Sequence, residues 1–294
     1  MIGNRISNIY GKSEVIDFDD SEKIVLMSDM HRSDGSSADR FLQNQSITLA
    51  ALHYYCNNDY LYIELGDGDE LWADKTMDVI KFVNFPIFSA MRRFHTRGRL
   101  KMLYGNHDMQ KKDARWVSAN LTELSGEYSG SLKLFEKIKI SEGLVLRYRP
   151  DMKDILLIHG HQADFLNYNL WRLAKFLVRY VWKPMELIGV KDPTSASTSL
   201  NKRGKIDSQL ANWTKAHGRA LVAGHTHRTV FPKTGEPPYF NDGCCVHPYR
   251  VSALEIADGA ISLVQWKIEA GEQGMLFVAR SVIKGPVKLT EFFS

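Results

Sequence analysis

The chain is short of cysteine, of long apolar runs and of charge of one sign. Three cysteines in 294 residues, two of them the neighbours Cys244 and Cys245, exclude a disulfide framework, because adjacent cysteines pair only with strain. Reduced thiols are the reading. No stretch of 18 or more uninterrupted apolar residues occurs, so no membrane-spanning helix is predicted. Met1 to Lys12 lacks the apolar segment of a secretory signal, which makes a cytoplasmic protein the expectation. Lysine and arginine number 38 against 34 acidic residues, a formal charge of +4. That excess is compatible with an anionic substrate or membrane surface and too small to argue for nucleic acid. With no basic aromatic module either, no nucleic-acid partner is expected. Internal repeats and low-complexity segments are absent. A composition of 44% hydrophobic and 24% charged residues can bury a large core, at the upper end of what one domain holds.

What the chain does have is histidine in company. Six of its ten histidines lie in Ser28-Asp29-Met30-His31, Gly105-Asn106-His107-Asp108, His159-Gly160-His161 and Gly224-His225-Thr226-His227, with Gly66-Asp67 between the first two. His53, His95, His217 and His247 lack such neighbours and read as structural. Two divalent ions about 3.5–4 Å apart need oxygen and imidazole ligands converging from separate strand ends, with one carboxylate shared. Asp67 is the natural bridge. Imidazole with carboxylate suits Mn, Fe or Zn better than Mg or Ca, which prefer all-oxygen shells.

The periodicity puts each signature at the end of an element. Lys23 to Ser28, Tyr60 to Leu65 and Arg99 to Tyr104 read as buried strands that stop at Asp29, Gly66-Asp67 and Gly105-Asn106, with helices predicted over Ser37 to Cys56 and Lys75 to Arg93. In α/β sheets, loops beyond the carboxyl ends of strands gather ligand sites. Further on, Leu132 to Ile140 and Leu144 to Arg149 flank Ser141-Glu142-Gly143 as a predicted hairpin, and Asp154 to Ile158 delivers His159. Ala220 to Ala223 delivers His225, and Asp258-Gly259 joins Val251 to Ile256 with Ile261 to Ile268 in another hairpin. The predicted fold is α/β, two packed mixed sheets flanked by helices in four layers. It forms one domain over 1–294, with 169–216 as an inserted helical lid and 271–294 as a C-terminal extension able to add an edge strand from Leu276 to Ile283.

With those residues in view, the chain resembles the calcineurin-like metallophosphoesterases, whose pattern is Asp-x-His, Gly-Asp-x-x-Asp/Glu, Gly-Asn-His-Asp/Glu, His-Gly and Gly-His-x-His in that order. The resemblance implies that Asp29, His31, Asp67 and His227 hold one ion and that Asp67, Asn106, His159 and His225 hold the other. Two divalent ions are implied, Mn first and Fe or Zn as alternatives. It implies a phosphoesterase in which a hydroxide between the ions, available near neutral pH because coordination lowers water's pKa to about 7, attacks phosphorus in line with the leaving oxygen. His107 is the candidate to protonate the leaving group, and Asp108 the candidate to orient it. Arg32 and Arg228 follow ligand histidines and are candidates for bidentate phosphate binding, a surface salt bridge being the alternative for each. His161 either meets substrate, bonds a ligand or packs. Asp69 and Glu70 read as solvent-facing or as supports of the ligands, with Glu70 able to orient a histidine.

In the insertion, Arg172, Lys175, Arg179 and Lys183 share one helical face, with Trp171, Phe176, Val178, Tyr180 and Trp182 on the rest and Pro184 closing the helix. Ser195 to Ser199 reads as a linker. Two readings stand: a lid or lipid-interface helix, giving peripheral contact with the inner face of a membrane, or a surface helix with solvated cations and its aromatics in the core. Gly66-Asp67-Gly68-Asp69-Glu70-Leu71-Trp72, His159-Gly160-His161 with Asp164, Gly224-His225-Thr226-His227-Arg228 and Asn241-Asp242-Gly243 are similar to the UDP-diacylglucosamine pyrophosphatase branch. His161 and Cys244-Cys245 depart from it. The expected substrate is a small or lipid-linked phosphodiester or pyrophosphate. A phosphomonoesterase such as a serine/threonine protein phosphatase is the alternative, and a non-catalytic scaffold a third.

Overall fold

The computed structural model describes residues 2–73, 76–126, 130–182 and 200–293. Two sheets form face to face. The first runs in the order β1 (Glu14–Phe18), β8 (Gly143–Tyr148), β9 (Lys153–Ile158), β10 (Ala220–Ala223), β11 (Tyr239–Asn241), parallel except at the β8–β9 pair. The second runs β14 (Leu276–Lys288), β13 (Ala260–Ala270), β12 (Arg250–Ala257), β2 (Ile24–Met27), β3 (Leu61–Glu64), β4 (Leu100–Leu103), β7 (Ile140–Ser141), parallel from β2 to β7 and antiparallel beyond. A small separate hairpin joins β5 (Glu123–Gly126) to β6 (Gly130–Lys133).

The period-two alternation of strands assigns the layers. Leu26, Ile63 and Leu103 meet Leu146, Leu157 and Val222 between the sheets. Val25, Met27 and Tyr62 face the opposite way, onto the helices Gln45–Asn57 and Phe85–His95. Val145, Leu156 and Leu221 pack outward against the helices Ile2–Lys12 and Leu200–His217. The result is helix, sheet, sheet, helix, as expected. Because the central strands are buried on both faces, they read as continuous apolar runs rather than alternating ones.

Several expected boundaries move. The helix predicted from Ser37 begins only at Gln45; Asp39 accepts from the backbone N–H groups of Gly35, Phe41 and Leu42 and holds the preceding residues in a turn. The helix predicted over Lys75 to Arg93 is two, Met77–Val83 and Phe85–His95, broken at Asn84, whose amide donates to the carbonyls of Ile80 and Ser33. The hairpin predicted about Ser141-Glu142-Gly143 does not form: β7 pairs with β4 in one sheet and β8 with β1 and β9 in the other. A three-residue turn looked the same whether it reversed a strand or crossed between sheets. The last part of the insertion packs on the outer core. The helix Leu200–His217 buries Ile206, Leu210 and Trp213 in the outer core, where a Leu210→Ala cavity costs about 2–5 kcal/mol. Lys183, Pro184 and Ser195 to Ser199 lie outside the described residues. The C-terminal segment supplies edge strand β14 and then seals the inter-sheet core with Leu289 and Phe292. No described helix is long and apolar enough to cross a membrane.

Candidate metal centre

The loops after β2, β3, β4, β9 and β10 meet at one end of the two sheets. They are stitched together by backbone: Asp29 N–H donates to the Gly66 carbonyl (3.1 Å), His31 N–H to that of Asp67 (2.9 Å) and Arg32 N–H to that of Gly68 (3.0 Å). Five of the expected ligands, Asp29, His31, Asp67, His225 and His227, have positive φ, the left-handed region that aspartate and histidine enter more readily than most residues. Gly105 and Gly224 allow the approach. A Cβ on Gly105 would lie 2.1 Å from Asp67 Oδ1, and one on Gly224 would lie 2.1 Å from Ser28 Oγ and 2.6 Å from Asp29 Oδ2.

Ligand atoms converge in overlapping groups: Asp29, His31 and His227; His31, Asp67 and His107; Asp67, His159 and His225. In the first, His227 Nε2 stands 3.0 Å from Asp29 Oδ1 and 3.3 Å from His31 Nε2. In the last, His159 Nε2 stands 3.1 Å from Asp67 Oδ2, which is also 3.8 Å from His31 Nε2. One oxygen of Asp67 therefore faces both groups, the geometry a shared carboxylate needs. Its Oδ1 accepts the His107 N–H (2.8 Å).

The buried atoms fit divalent ions. Asp29 Oδ1, Asn106 Oδ1, His159 Nε2 and His225 Nε2 make no hydrogen bond of good geometry among the described residues, and such a deficit in a buried polar atom, which costs up to about 1–3 kcal/mol, is relieved when a ligand satisfies it. His159 Nδ1 sits 3.0 Å from the Leu65 carbonyl; donating there leaves the Nε2 lone pair toward Asp67. Burial opposes the charge of Asp29 and Asp67, but the histidines around them prevail and hold both carboxyls below the usual range. Ser28 Oγ lies 2.5 Å from Asp29 Oδ2 and 2.8 Å from Asp242 Oδ1. The one hydroxyl is thus shared between two carboxyl groups, and burial together with the Asp29 charge pushes the Asp242 carboxyl up.

The supports of the centre differ from expectation in two places. Glu70, not Asp108, orients His107: its carboxylate is 2.8 Å from His107 Nδ1 and 2.8 Å from His31 Nδ1. Trp72 stacks on the His107 ring at 4.2 Å. Asp108 is buried beneath the loops, accepting the Gly105 N–H (2.7 Å) and the Gly68 N–H (3.1 Å) and pairing with Lys111 (2.7 Å). Arg32 is 0% exposed and binds Glu64 through both terminal nitrogens (2.8 and 3.0 Å) and Asp69 through Nε (2.7 Å). It is an internal strut with no solvent-exposed surface. Lys111 closes the network at 2.7 Å from Asp69 Oδ2. Asp69 is thus buried, not solvent-facing.

Arg228 is half exposed and pairs with Asp207 (3.1 Å) on the helix Leu200–His217. His161 is buried beside His159, His225 and Tyr168, both ring nitrogens without a hydrogen-bond partner among the described residues. Sequence reading missed the roles of Glu64, Lys111 and Asp242: Glu64 acts through Arg32, Lys111 through Asp69 as well as Asp108, and Asp242 through Ser28, contacts that no local pattern announces.

The fold is an α/β sandwich that gathers candidate carboxylate, imidazole and amide metal ligands at its strand ends. The model of the family described as calcineurin-like phosphoesterase matches residues 22–229, and the chain belongs to that family. Among curated proteins none matches significantly. Similar solved structures include Chaetomium thermophilum Vps29, at 12% identity and TM-score 0.43, covering 90% of this chain and 96% of that one. A cold-active protein-tyrosine phosphatase of a psychrophilic Shewanella matches at 13% identity and TM-score 0.38, covering 92% and 83%. GAP50 of Plasmodium, titled the anchor in the inner membrane complex, matches at 10% identity and TM-score 0.43, covering 92% and 90%.

Proposed function

We propose that the protein is a two-metal phosphohydrolase that cleaves a phosphodiester or pyrophosphate carried on a lipid or nucleotide. The observation that carries the reading is Asp67 Oδ2, which faces His31 and His159 at once. Asp29, His31, Asp67 and His227 would hold one ion and Asp67, Asn106, His159 and His225 the other, with Mn favoured and Fe or Zn alternatives. Bound there, the ions supply an activated water and charge neutralisation on the phosphoryl oxygens.

The chain's own residues do the rest. Glu70 accepts from His107 Nδ1, which leaves Nε2 as the atom that carries or releases a proton at the leaving oxygen. Trp72 fixes the plane of that ring. The lid helix Trp171–Leu177 and its following turn to Trp182 dock through Arg179, which donates to the carbonyls of Trp72 (3.0 Å) and Leu71 (3.1 Å). Burial and the neighbouring Arg179 push the Lys175 amine down to about 8, offset by Glu70, so two cations are held together where an anionic substrate relieves them. Leu173, Phe176 and Tyr180 point out to solvent. With Lys175 and Arg179 partly buried beneath them while Arg172 is exposed and Trp171 and Trp182 are partly buried, these outward apolar side chains suit an acyl tail or the inner face of a membrane.

The test is turnover by Mn-loaded protein of a chromogenic phosphomonoester, the matching diester and a UDP-linked diacyl sugar, with Asp67→Ala as control. Lipid-linked pyrophosphate cleavage far above the simple esters supports the reading. Monoester preference replaces it with a phosphatase, and turnover that survives Asp67→Ala removes the two-metal mechanism.

A further inference from the structure

The helix Ile2–Lys12 precedes the region matched by the family model, and it builds something of its own. Ile6 and Ile9 anchor it on β8 and β9. On another face Asn4, Asn8 and Lys12 recur every four residues, which aligns them in one stripe. These three line a cavity of about 620 Å³, together with Glu142, Arg5 and Tyr168, a size typical of small-ligand sites. None of the three has a side-chain partner among the described residues.

The far wall leads to the metal centre. Arg5 lies over the Tyr168 ring at 3.8 Å, fixed by a bond to the Gln162 carbonyl (2.7 Å). The His161 ring is 5.7 Å from that of Tyr168, and the His159 ring 5.5 Å from that of His161. Two rings therefore separate the cavity from an expected metal ligand. His161, both nitrogens without a hydrogen-bond partner among the described residues, is packed between the rings of Tyr168 and His159.

The lining selects a ligand by chemistry. Two carboxamides each offer donors and an acceptor, which suits hydroxyl groups on a ring, while the Glu142 carboxylate beside them already accepts from Tyr104 and Tyr168. Lys12 adds a point charge at the rim, which suits a phosphate. We infer that this cavity is a subsite for a phosphorylated sugar, whether a pentose in a nucleotide or a hexose. Its role as the seat of the leaving group rests on the phosphohydrolase reading; its binding does not.

Calorimetric titration of the Mn-loaded full chain with uridine monophosphate, glucose 1-phosphate and inorganic phosphate tests the inference, beside the double variant Asn8→Ala, Lys12→Ala. Both side chains are exposed, and an unchanged melting temperature verifies the fold of the variant. The wild type is expected to bind a sugar phosphate about tenfold tighter than inorganic phosphate, two hydrogen bonds' worth, and the variant to lose that preference. Which ester wins identifies the sugar. Equal affinity for all three ligands in the wild type, or a preference that survives in the variant, overturns the subsite. Absence of diester turnover in the same wild-type sample would instead strike the phosphohydrolase reading and leave the binding result standing.

Discussion

Replacing Arg32 by methionine separates two accounts of the residue that follows the first ligand histidine. In the structure its guanidinium makes two bonds to Glu64 (2.8 and 3.0 Å) and one to Asp69 (2.7 Å), and all three side chains are 0% exposed. Without it, Glu64, Asp69 and Asp108 share one buried ammonium, Lys111, at 3.8, 2.7 and 2.7 Å. A unit charge pair at 4 Å and an effective dielectric near 20 is worth about 4 kcal/mol, and breaking a buried pair from one side costs about 3–5 kcal/mol. Asp108, already raised by burial, can take a proton and hold the loss toward the lower figure. The expected result is a fall of about 3 kcal/mol in urea unfolding, equivalent to roughly 6–12 °C in melting temperature for a large domain. Arg32→Lys keeps the charge but not the fork and falls between. Arg228→Ala removes a half-exposed guanidinium from buried Asp207 and should cost less than Arg32→Met, because Asp207 keeps its bonds from Tyr239 and Thr226. An Arg32→Met protein as stable as wild type, with KM raised tenfold, would refute the argument and put the guanidinium in the substrate's path.

Glu70→Gln should lower kcat on a diester about 10- to 100-fold with little change in stability, because it loosens both His31 and His107; Asp108→Asn should show the reverse, a stability loss with smaller kinetic change. Chelation followed by Mn addition should raise the melting temperature in wild type, by about 2.7 kcal/mol of stabilisation at one hundred times Kd, and far less in Asp67→Ala. Gly105→Ala forces a methyl against Asp67 Oδ1, 2.1 Å away, and should abolish Mn binding measured by calorimetry. Lys175, lowered to about 8, penalises the fold while it is charged. The penalty is complete below pH 8 and fades toward the ordinary lysine range as the native amine gives up its proton first. Lys175→Met should therefore melt higher than wild type at pH 7, and the gain should shrink by pH 10.

The layers were legible because they rest on local patterns: apolar runs such as Ile24 to Met27 end where glycine, aspartate and histidine begin. The ligand loops were legible for the same reason, since metal chemistry restricts residue type as well as position. What escaped was set by contacts across the chain. Asp108 lies next to His107 and was expected to orient it, yet the peptide turns it inward and Glu70 arrives from 37 residues away. Arg32 next to His31 looked like a phosphate ligand until Glu64 and Asp69 came up beneath it. The helix Leu200–His217 falls mostly within the expected lid span 169–216, yet its apolar residues Ile206, Leu210 and Trp213 are sparse in a polar stretch, and only the sheet under them decides their direction.

The positive φ angles bear on how the centre comes to exist. Residues held there cost of order 1–3 kcal/mol each, so Asp29, His31, Asp67, His225 and His227 together store strain comparable with the whole stability of an ordinary domain, about 5–15 kcal/mol. Their being aspartate and histidine lowers the cost, because those types tolerate the left-handed region. Thus one residue choice meets the demands of backbone and ligand. The remainder is offset by bonds that need no ion: Asp29, His31 and Arg32 N–H groups on the second loop's carbonyls, the His225 N–H on Asp29 Oδ2 (2.8 Å) and the His107 N–H on Asp67 Oδ1 (2.8 Å). Each of these bonds ties one loop to another, so the loops fix one another's geometry before any ion arrives. Binding then adds stability to a formed site instead of folding one, and metal removal should lower the melting temperature while leaving the far-ultraviolet circular dichroism unchanged.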